Sequence, residues 1–234
     1  MPDALNISPE GNQLVCGRIK EGKTTFAIFL ARQFSDGILI WDPRHMIAGG
    51  SYVSDAEELE DAIQEEEWRK GPIVFRPDAL HLTEDFDAMC EVLFTPPDRF
   101  DNFALIVDEA ADLQSAQRIQ PHLARALKQH PRTVLVIQTA HSLQDWNRPS
   151  KDLMNDLYCF KLIGRSALAV VDYCDGSEEL ETTIKTLPRH HLVHVSFEGG
   201  TDEEEFEVLD KPEEWYSPVT EREDANVGAE VKRV

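Results

Sequence analysis

The sequence predicts an α/β domain with a mainly parallel central sheet and helices on both of its faces. Three observations predict it. Several apolar runs of about five residues lack polar alternation, as strands buried on both sides do. Stretches with helical apolar spacing fall between those runs. The first run breaks into a glycine-rich loop that opens a helix. The 234 residues suffice for one such domain with a filled core.

Residues up to about Asn12 read as a polar lead-in to the first strand, LVC at 14–16, which runs into GRIKEGKTT at 17–25 and then the helix-like FAIFLA at 26–31. A nucleoside triphosphate carries several negative charges, and backbone N–H groups at a helix N-terminus hold them with positive partial charge. Gly17 and Gly22 permit loop conformations closed to residues with a Cβ. The candidate nucleotide-binding residues are therefore Gly17, Arg18, Ile19, Lys20, Glu21, Gly22, Lys23, Thr24 and Thr25. Lys23 is expected to reach the β- and γ-phosphates, and the Thr24 hydroxyl to ligate Mg²⁺.

GILIW at 37–41 is the second strand and ends in Asp42-Pro43-Arg44. Ser54-Asp55-Ala56-Glu57 has the form of a capping box, followed by Leu59, Ala62 and Ile63 as an apolar stripe on an acidic helix. IVF at 73–75 is the next strand. Thr83 is placed to cap a helix with Phe86, Met89, Cys90 and Leu93 on one face, and Pro96-Pro97 to end the connection. FALIV at 103–107 then ends in Asp108-Glu109, an acidic pair at the carboxyl edge of a buried strand, where nucleotide sites of such sheets lie. Asp108 is expected to hold Mg²⁺ through its water shell, and Glu109 to polarise the attacking water.

A helix is expected over 114–129 and a fifth strand over 132–139, ending in Gln138, Thr139 and His141 with Asp145 after them. Beside the strand of Asp108, one of these side chains, Gln138 and His141 foremost, is a candidate to contact the γ-phosphate or the lytic water. A strand over 157–163 leads to Gly164-Arg165-Ser166 and an apolar run at 167–171. Segments 192–197 and 205–209 alternate across Gly199-Gly200 as a C-terminal β-hairpin. The expected domain spans 1–209, with an acidic, flexible tail over 210–234.

The formal net charge of -21 argues against a polyanionic partner, but residues 114–168 carry eight Lys or Arg against three Asp. The acid collects at 55–67, 178–181, 202–207 and in the tail, as solvated faces. No run approaches the roughly 20 apolar residues of a membrane span, and the first residues lack the pattern of a signal peptide, so a cytoplasmic location is expected. Cys16, Cys90, Cys159 and Cys174 form no CxxC pair and read as reduced thiols.

The succession GRIKEGKTT, ILIWDPR, IVFRP, ALIVDEA, VLVIQTAHSLQDW and DLYCFKLIGR resembles the FtsK/HerA superfamily of RecA-like P-loop ATPases that pump DNA. Within it, the viral genome-packaging and zonula-occludens-toxin-like phage ATPases are the most similar in size. The likeness covers residues 13–165. Trp41-Asp42-Pro43 matches the pair that ends the second strand there, and His141 and Asp145 match the polar stretch after the acidic pair, whereas Gln138 fits only in a shifted register. Ile19-Lys20-Glu21 departs from the small residues usual in the loop. The transmembrane helix of the toxin-like proteins is absent, which favours the packaging side.

The resemblance implies ATP and Mg²⁺ as cofactors, a ring-forming homo-oligomer, double-stranded DNA in a basic pore, capsid or assembly proteins as further partners, and a neighbouring subunit's arginine in trans. Arg132 is the first choice for that arginine, before Arg125, Arg165 and Arg148. An ATPase acting on protein partners during assembly or secretion is the alternative that suits the acidic charge. A small-molecule kinase would need an arginine-bearing lid, and no inserted segment has that form.

Overall fold

The structure, a computed structural model, describes residues 11–94, 102–115, 118–129, 134–144, 146, 153–197 and 206–209. The tail at 210–234, Pro96-Pro97, Arg132, Asp145, Arg148 and Gly199-Gly200 lie outside the described residues. The strands are β1 (Asn12–Cys16), β2 (Gly37–Trp41), β3 (Ser51–Val53), β4 (Ile73–Phe75), β5 (Phe103–Val107), β6 (Val134–Ala140), β7 (Asp156–Phe160), β8 (Leu192–Ser196) and β9 (Phe206–Leu209). They form one sheet in the order β3-β4-β2-β5-β6-β1-β7-β8-β9. Neighbours from β3 to β7 pair in parallel. Strand β8 is antiparallel to β7, and β9 to β8, which is the pairing expected of a C-terminal hairpin.

The helices are α1 (Lys23–Phe34), α2 (Ala56–Gln64), α3 (Leu82–Phe94), α4 (Pro121–Gln129), α5 (Arg165–Cys174) and α6 (Glu178–Thr186). Period-2 alternation sorts the strand residues into two cores. Phe26, Ala27, Leu30 and Ala31 of α1 pack with Val15, Ile40, Ile106 and Ile137 on one face. Apolar residues of α2 to α6 pack with Leu14, Leu39, Leu105 and Val136 on the other. Helices thus cover both faces, unequally. Trp41 anchors the second core, with the Phe75 ring 5.5 Å away and the Phe86 ring edge-on at 5.0 Å.

Several local expectations shift. Helix α4 starts at Pro121, not near 114, because Gln114 instead pairs with Ile119 in an isolated bridge and proline suits the first helical position. The Gln120 Oε1 accepts from Leu123 N at 2.6 Å and acts as its cap. On α2 the cap is Asp55, which accepts from Glu58 N, while the Glu58 carboxylate reaches back to Ser54 N; the box sits one residue later than read. Thr83 lies inside the first turn of α3 instead of capping it. Strand β7 stops at Phe160, three residues short of the reading. The acidic run at 178–181 opens α6, capped by Ser177 and held by buried Leu180 and Ile184. Among the described residues the four cysteines form no disulfide, and Cys16, Cys90 and Cys159 are buried.

Across β7, β8 and β9 the buried His194 joins two carboxylates: Nε2 lies 2.8 Å from Asp156 Oδ1 and Nδ1 2.8 Å from Glu207 Oε1. The Tyr158 ring stacks on it at 4.7 Å and 8°. Burial alone would lower the imidazole pKa, but the bonds to Asp156 and Glu207 outweigh it and raise it. Among the described residues no helix is long and apolar enough to cross a membrane.

Candidate functional site

The loops after β1, β5 and β6 meet at the carboxyl edge of the sheet, since these strands are neighbours and run the same way. Gly17 N donates to Ala140 O at 3.1 Å as the chain leaves β1. A Cβ at Gly17 would lie 2.6 Å from the Cβ of Phe160, so no larger residue fits there. Gly22, at φ 102°, turns the loop into α1 in a conformation that only glycine adopts without strain. Arg18, Ile19, Lys20 and Thr25 are exposed, and Glu21 and Gly22 half-buried, so this loop forms an open rim above the start of the helix. A loop of this form at a helix N-terminus is suited to receive an anion.

Lys23 and Thr24 leave the first turn of α1 toward β5 and β6. The Lys23 ammonium donates to Arg18 O at 3.3 Å and to His141 Nδ1 at 2.8 Å. An ammonium has no lone pair, so Nδ1 accepts, and His141 carries its proton on Nε2, which donates to Glu109 Oε1 at 2.8 Å. Thr24 Oγ1 donates to Asp108 Oδ1 at 2.9 Å, and Thr139 Oγ1 donates to the same oxygen at 2.7 Å. Thr139 Oγ1 also accepts from Glu109 N at 3.2 Å, so one hydroxyl holds both acidic residues. Glu109 has φ 52°, a strained conformation for a residue with a side chain, and it turns the chain into the 3₁₀ segment Ala110–Leu113.

Burial disfavours charge throughout this cluster. It pushes the Asp108 carboxyl up against the hydrogen bonds from Thr139 and Thr24. Burial and then the Asp108 charge raise Glu109. Burial lowers Lys23 despite Glu109 and Asp108 beside it, and burial together with Lys23 lowers His141. The arrangement is the half-buried carboxylate of Glu109 beside a second carboxylate and two hydroxyls, next to the glycine-bearing loop. Such a set suits hydrolysis of a bound phosphoanhydride.

The phosphate-loop residues, Lys23, Thr24, Asp108, Glu109 and His141 are therefore brought together. Gln138 is not. Its side chain lies on the opposite face of β6, fully buried, where Oε1 accepts from Gln114 Nε2 at 3.1 Å and Nε2 donates to Met154 Sδ at 3.6 Å. Strand alternation turns Thr139 toward the carboxylates and its neighbour away. Among the other arginine candidates, Arg125 on α4 and Arg165 at the start of α5 are both exposed.

No family model matches the sequence, and no curated protein matches it either. Solved structures do match. The genome packaging NTPase B204 from Sulfolobus turreted icosahedral virus 2 in complex with ATP-gammaS superposes with a TM-score of 0.66 at 16% identity, over 87% of this chain and 98% of that one. This chain has the fold of a P-loop NTPase. The DNA-packaging ATPase B204 from Sulfolobus turreted icosahedral virus gives 0.65 at 14% identity, over 88% and 100%. VirB4 of Thermoanaerobacter pseudethanolicus gives 0.62 at 10% identity, over 87% and 90%. The P-loop NTPase fold and the resemblance to packaging ATPases read from the motifs agree with these neighbours at the level of the fold.

Two further residues support the site. Asp42 is fully buried after β2, accepts from Met46 N and Ile47 N at 3.0 Å each, and lies 3.6 Å from Arg76 Nε. It thereby fixes the loop that carries Arg44, whose Nη2 lies 3.0 and 3.1 Å from the Asp112 oxygens just past Glu109. Thr139 belongs to the polar cluster from which a contact to the γ-phosphate or the lytic water is expected, and its hold on the two acidic residues is the part that the sequence leaves unread. The signal available was the period-2 alternation that puts 139, and not 138, on the α1 side.

Lys23→Ala is expected to weaken ATP binding about tenfold or more, since a charge-assisted contact to phosphate is lost. Titration calorimetry with an ATP analogue checks it, and an unchanged affinity would remove Lys23 from the binding loop.

Proposed function

We propose that this protein is a Mg²⁺-dependent ATP hydrolase that works as a homo-oligomeric motor on double-stranded DNA, in the manner of genome packaging. The oxygen cluster of Thr24, Asp108 and Thr139, set beside Lys23 and Glu109 at the mouth of the phosphate loop, carries the reading. The loop N–H groups and Lys23 bind the phosphates. Thr24 Oγ1 and Asp108 Oδ1 are hard oxygens 2.9 Å apart and fit Mg²⁺, which takes one or two protein oxygens beside phosphate and water. Among the described residues no group of three His, Cys, Asp or Glu forms an all-protein cage, which also fits this ion. When bound, Mg²⁺ neutralises charge developing on the phosphates. Glu109 takes the proton of the attacking water, and His141 Nε2–H orients its carboxylate.

The DNA reading draws on the packaging NTPase neighbours and on exposed cations outside the acidic surfaces: Arg118 after β5, and Arg125 and Lys128 on α4. Arg132 is proposed as the arginine acting in trans, and 210–234 as an acidic tail outside the 1–209 domain. The formal charge of -21 favours a second reading, an ATPase acting on protein partners in assembly or secretion. ATP hydrolysis is expected to rise severalfold with linear double-stranded DNA and to lose that gain between about 50 and 200 mM salt, as binding through several phosphate contacts does. Steady-state rates across a salt series, with oligomer mass recorded in each buffer, decide it. Hydrolysis indifferent to DNA at every salt would sink the motor and leave the protein-directed reading.

A further inference from the structure

Two neighbouring loops leave the carboxyl edge of the sheet, 42–50 after β2 and 76–81 after β4, and they are tied together. Asp42 accepts from two N–H groups of the first loop, Arg76 Nη2 donates to Ile47 O at 2.7 Å, and His45 Nε2 donates to Pro77 O at 3.2 Å. The second loop is also fixed at its tip, where Asp78 Oδ1 accepts from Leu80 N at 2.9 Å and Asp85 Oδ2 from Asp78 N at 2.8 Å. On this braced support Leu80 is 85% exposed and Met46 79%. A fixed loop that holds such side chains in water forgoes about 1.5 to 3 kcal/mol of burial for each. Apolar projections of this kind mark a contact surface where a matching recess exists.

The recess lies on the other flank of the sheet. A cavity of about 420 Å³ opens between the loop after β6 and helix α5, lined by Leu143, Trp146, Leu168 and Tyr173, with Arg165 and Asp172 at its two ends. Those two charges are seven residues apart on the helix, about 10 Å. Gly164 gives α5 no side-chain cap, and its first turn carries no acid, so the exposed Arg165 adds its charge to an uncompensated positive end. The opposite charge stands beside Leu80: Asp78 is 60% exposed, with His81 Nδ1 3.6 Å away. Arg165 and Leu168, one turn apart on one helix face, lie about 5–6 Å from each other. Two residues of chain span at most about 7 Å, so Asp78 and Leu80 can meet both at once. Strands β4 and β7, which lead to the two surfaces, are five positions apart in the sheet, about 24 Å. One chain cannot bring them together. The fit is between chains, and because projection and recess are different surfaces, it runs head to tail.

We propose that Leu80 of one copy of this chain enters the cavity beside Leu168 of a second copy, while Asp78 pairs with Arg165 at the start of α5. The proposal rests on the homo-oligomeric reading given above and names the surfaces through which copies meet. Each copy in such a pair keeps one surface unpaired, so the same contact repeats until the chain of copies closes.

The test is mass by sedimentation at several concentrations, on the full chain as wild type, Leu80→Glu and Leu168→Glu. Both positions are exposed, and thermal unfolding like that of wild type verifies the fold of each variant. Each is expected to self-associate about tenfold or more weakly than wild type. An equimolar mixture of the two is expected to form a pair and stop there, since one variant retains the cavity and the other the leucine. Asp78→Arg and Arg165→Asp are each expected to weaken association severalfold and, combined in one chain, to restore it. Wild-type association in both leucine variants would overturn the contact and leave the projection to another protein. Folded, single variants that do not pair when mixed would overturn the head-to-tail arrangement. Both outcomes leave the homo-oligomeric reading standing, whereas a wild-type chain that stays single at every concentration would overturn that reading and the proposal together.

Discussion

Glu109→Gln is expected to slow ATP turnover about a hundredfold or more while ATP still binds with near wild-type affinity. The amide cannot take a proton from water, yet its oxygen still accepts from His141 Nε2–H, so the neighbouring contacts survive the change. The strained backbone at 109 and the bond from Glu109 N to Thr139 are also untouched, because they belong to the main chain. The wild-type carboxylate is an effective base because burial and Asp108 lift its pKa toward the working range. Single-turnover hydrolysis and nucleotide titration on the same preparation separate the two effects. Wild-type turnover in the variant would remove Glu109 from catalysis, and a parallel loss of binding would show instead that it supports the loop.

The second large effect concerns stability. Asp156→Ala removes one of two carboxylates from a histidine buried between β7 and β9, and is expected to cost about 3 kcal/mol. The raised pKa of His194 gives the pair a pH dependence of known sign. A group that binds its proton more tightly when folded stabilises fully below its unfolded pKa, and that contribution is lost as pH rises through the folded value. The stability gap between wild type and His194→Gln is thus expected to be widest in mild acid, below about pH 6.5, and to shrink on the alkaline side. Urea unfolding of all three proteins at several pH values measures both claims. A gap that grows with pH would mean that His194 is held neutral in the fold.

Much of the architecture was legible because the inner strands are uninterrupted apolar runs. The stretches at 37–41, 73–75 and 103–107 match the observed strands, since a strand covered on both faces has no polar position to blur its limits. Peripheral elements carry less signal. Strand β3 has three residues, and its Tyr52 is exposed, so nothing in its pattern marks it as part of a sheet. Helix α6 was hidden behind its own charge: Glu178, Glu179 and Glu181 fill the first turn, where they favour the positive end of the helix. At the site, the two motif-bearing loops could be read because their glycines and acids are local. The bond between His190 and Glu21 O could not, because it exists only once the chain has closed around β7 and β8.

Strand β6 also limits where this chain can gain or lose a residue. Gln138 and Thr139 are adjacent, yet the amide closes the core against Gln114 and Met154 while the hydroxyl grips Asp108 and Glu109. A single insertion or deletion within Val134–Ala140 would exchange them, setting an amide against the carboxylates and a small hydroxyl into a space shaped for glutamine. Gains and losses of residues must therefore fall outside this strand. Its length is fixed by these two sets of contacts, whereas surface loops tolerate gains and losses.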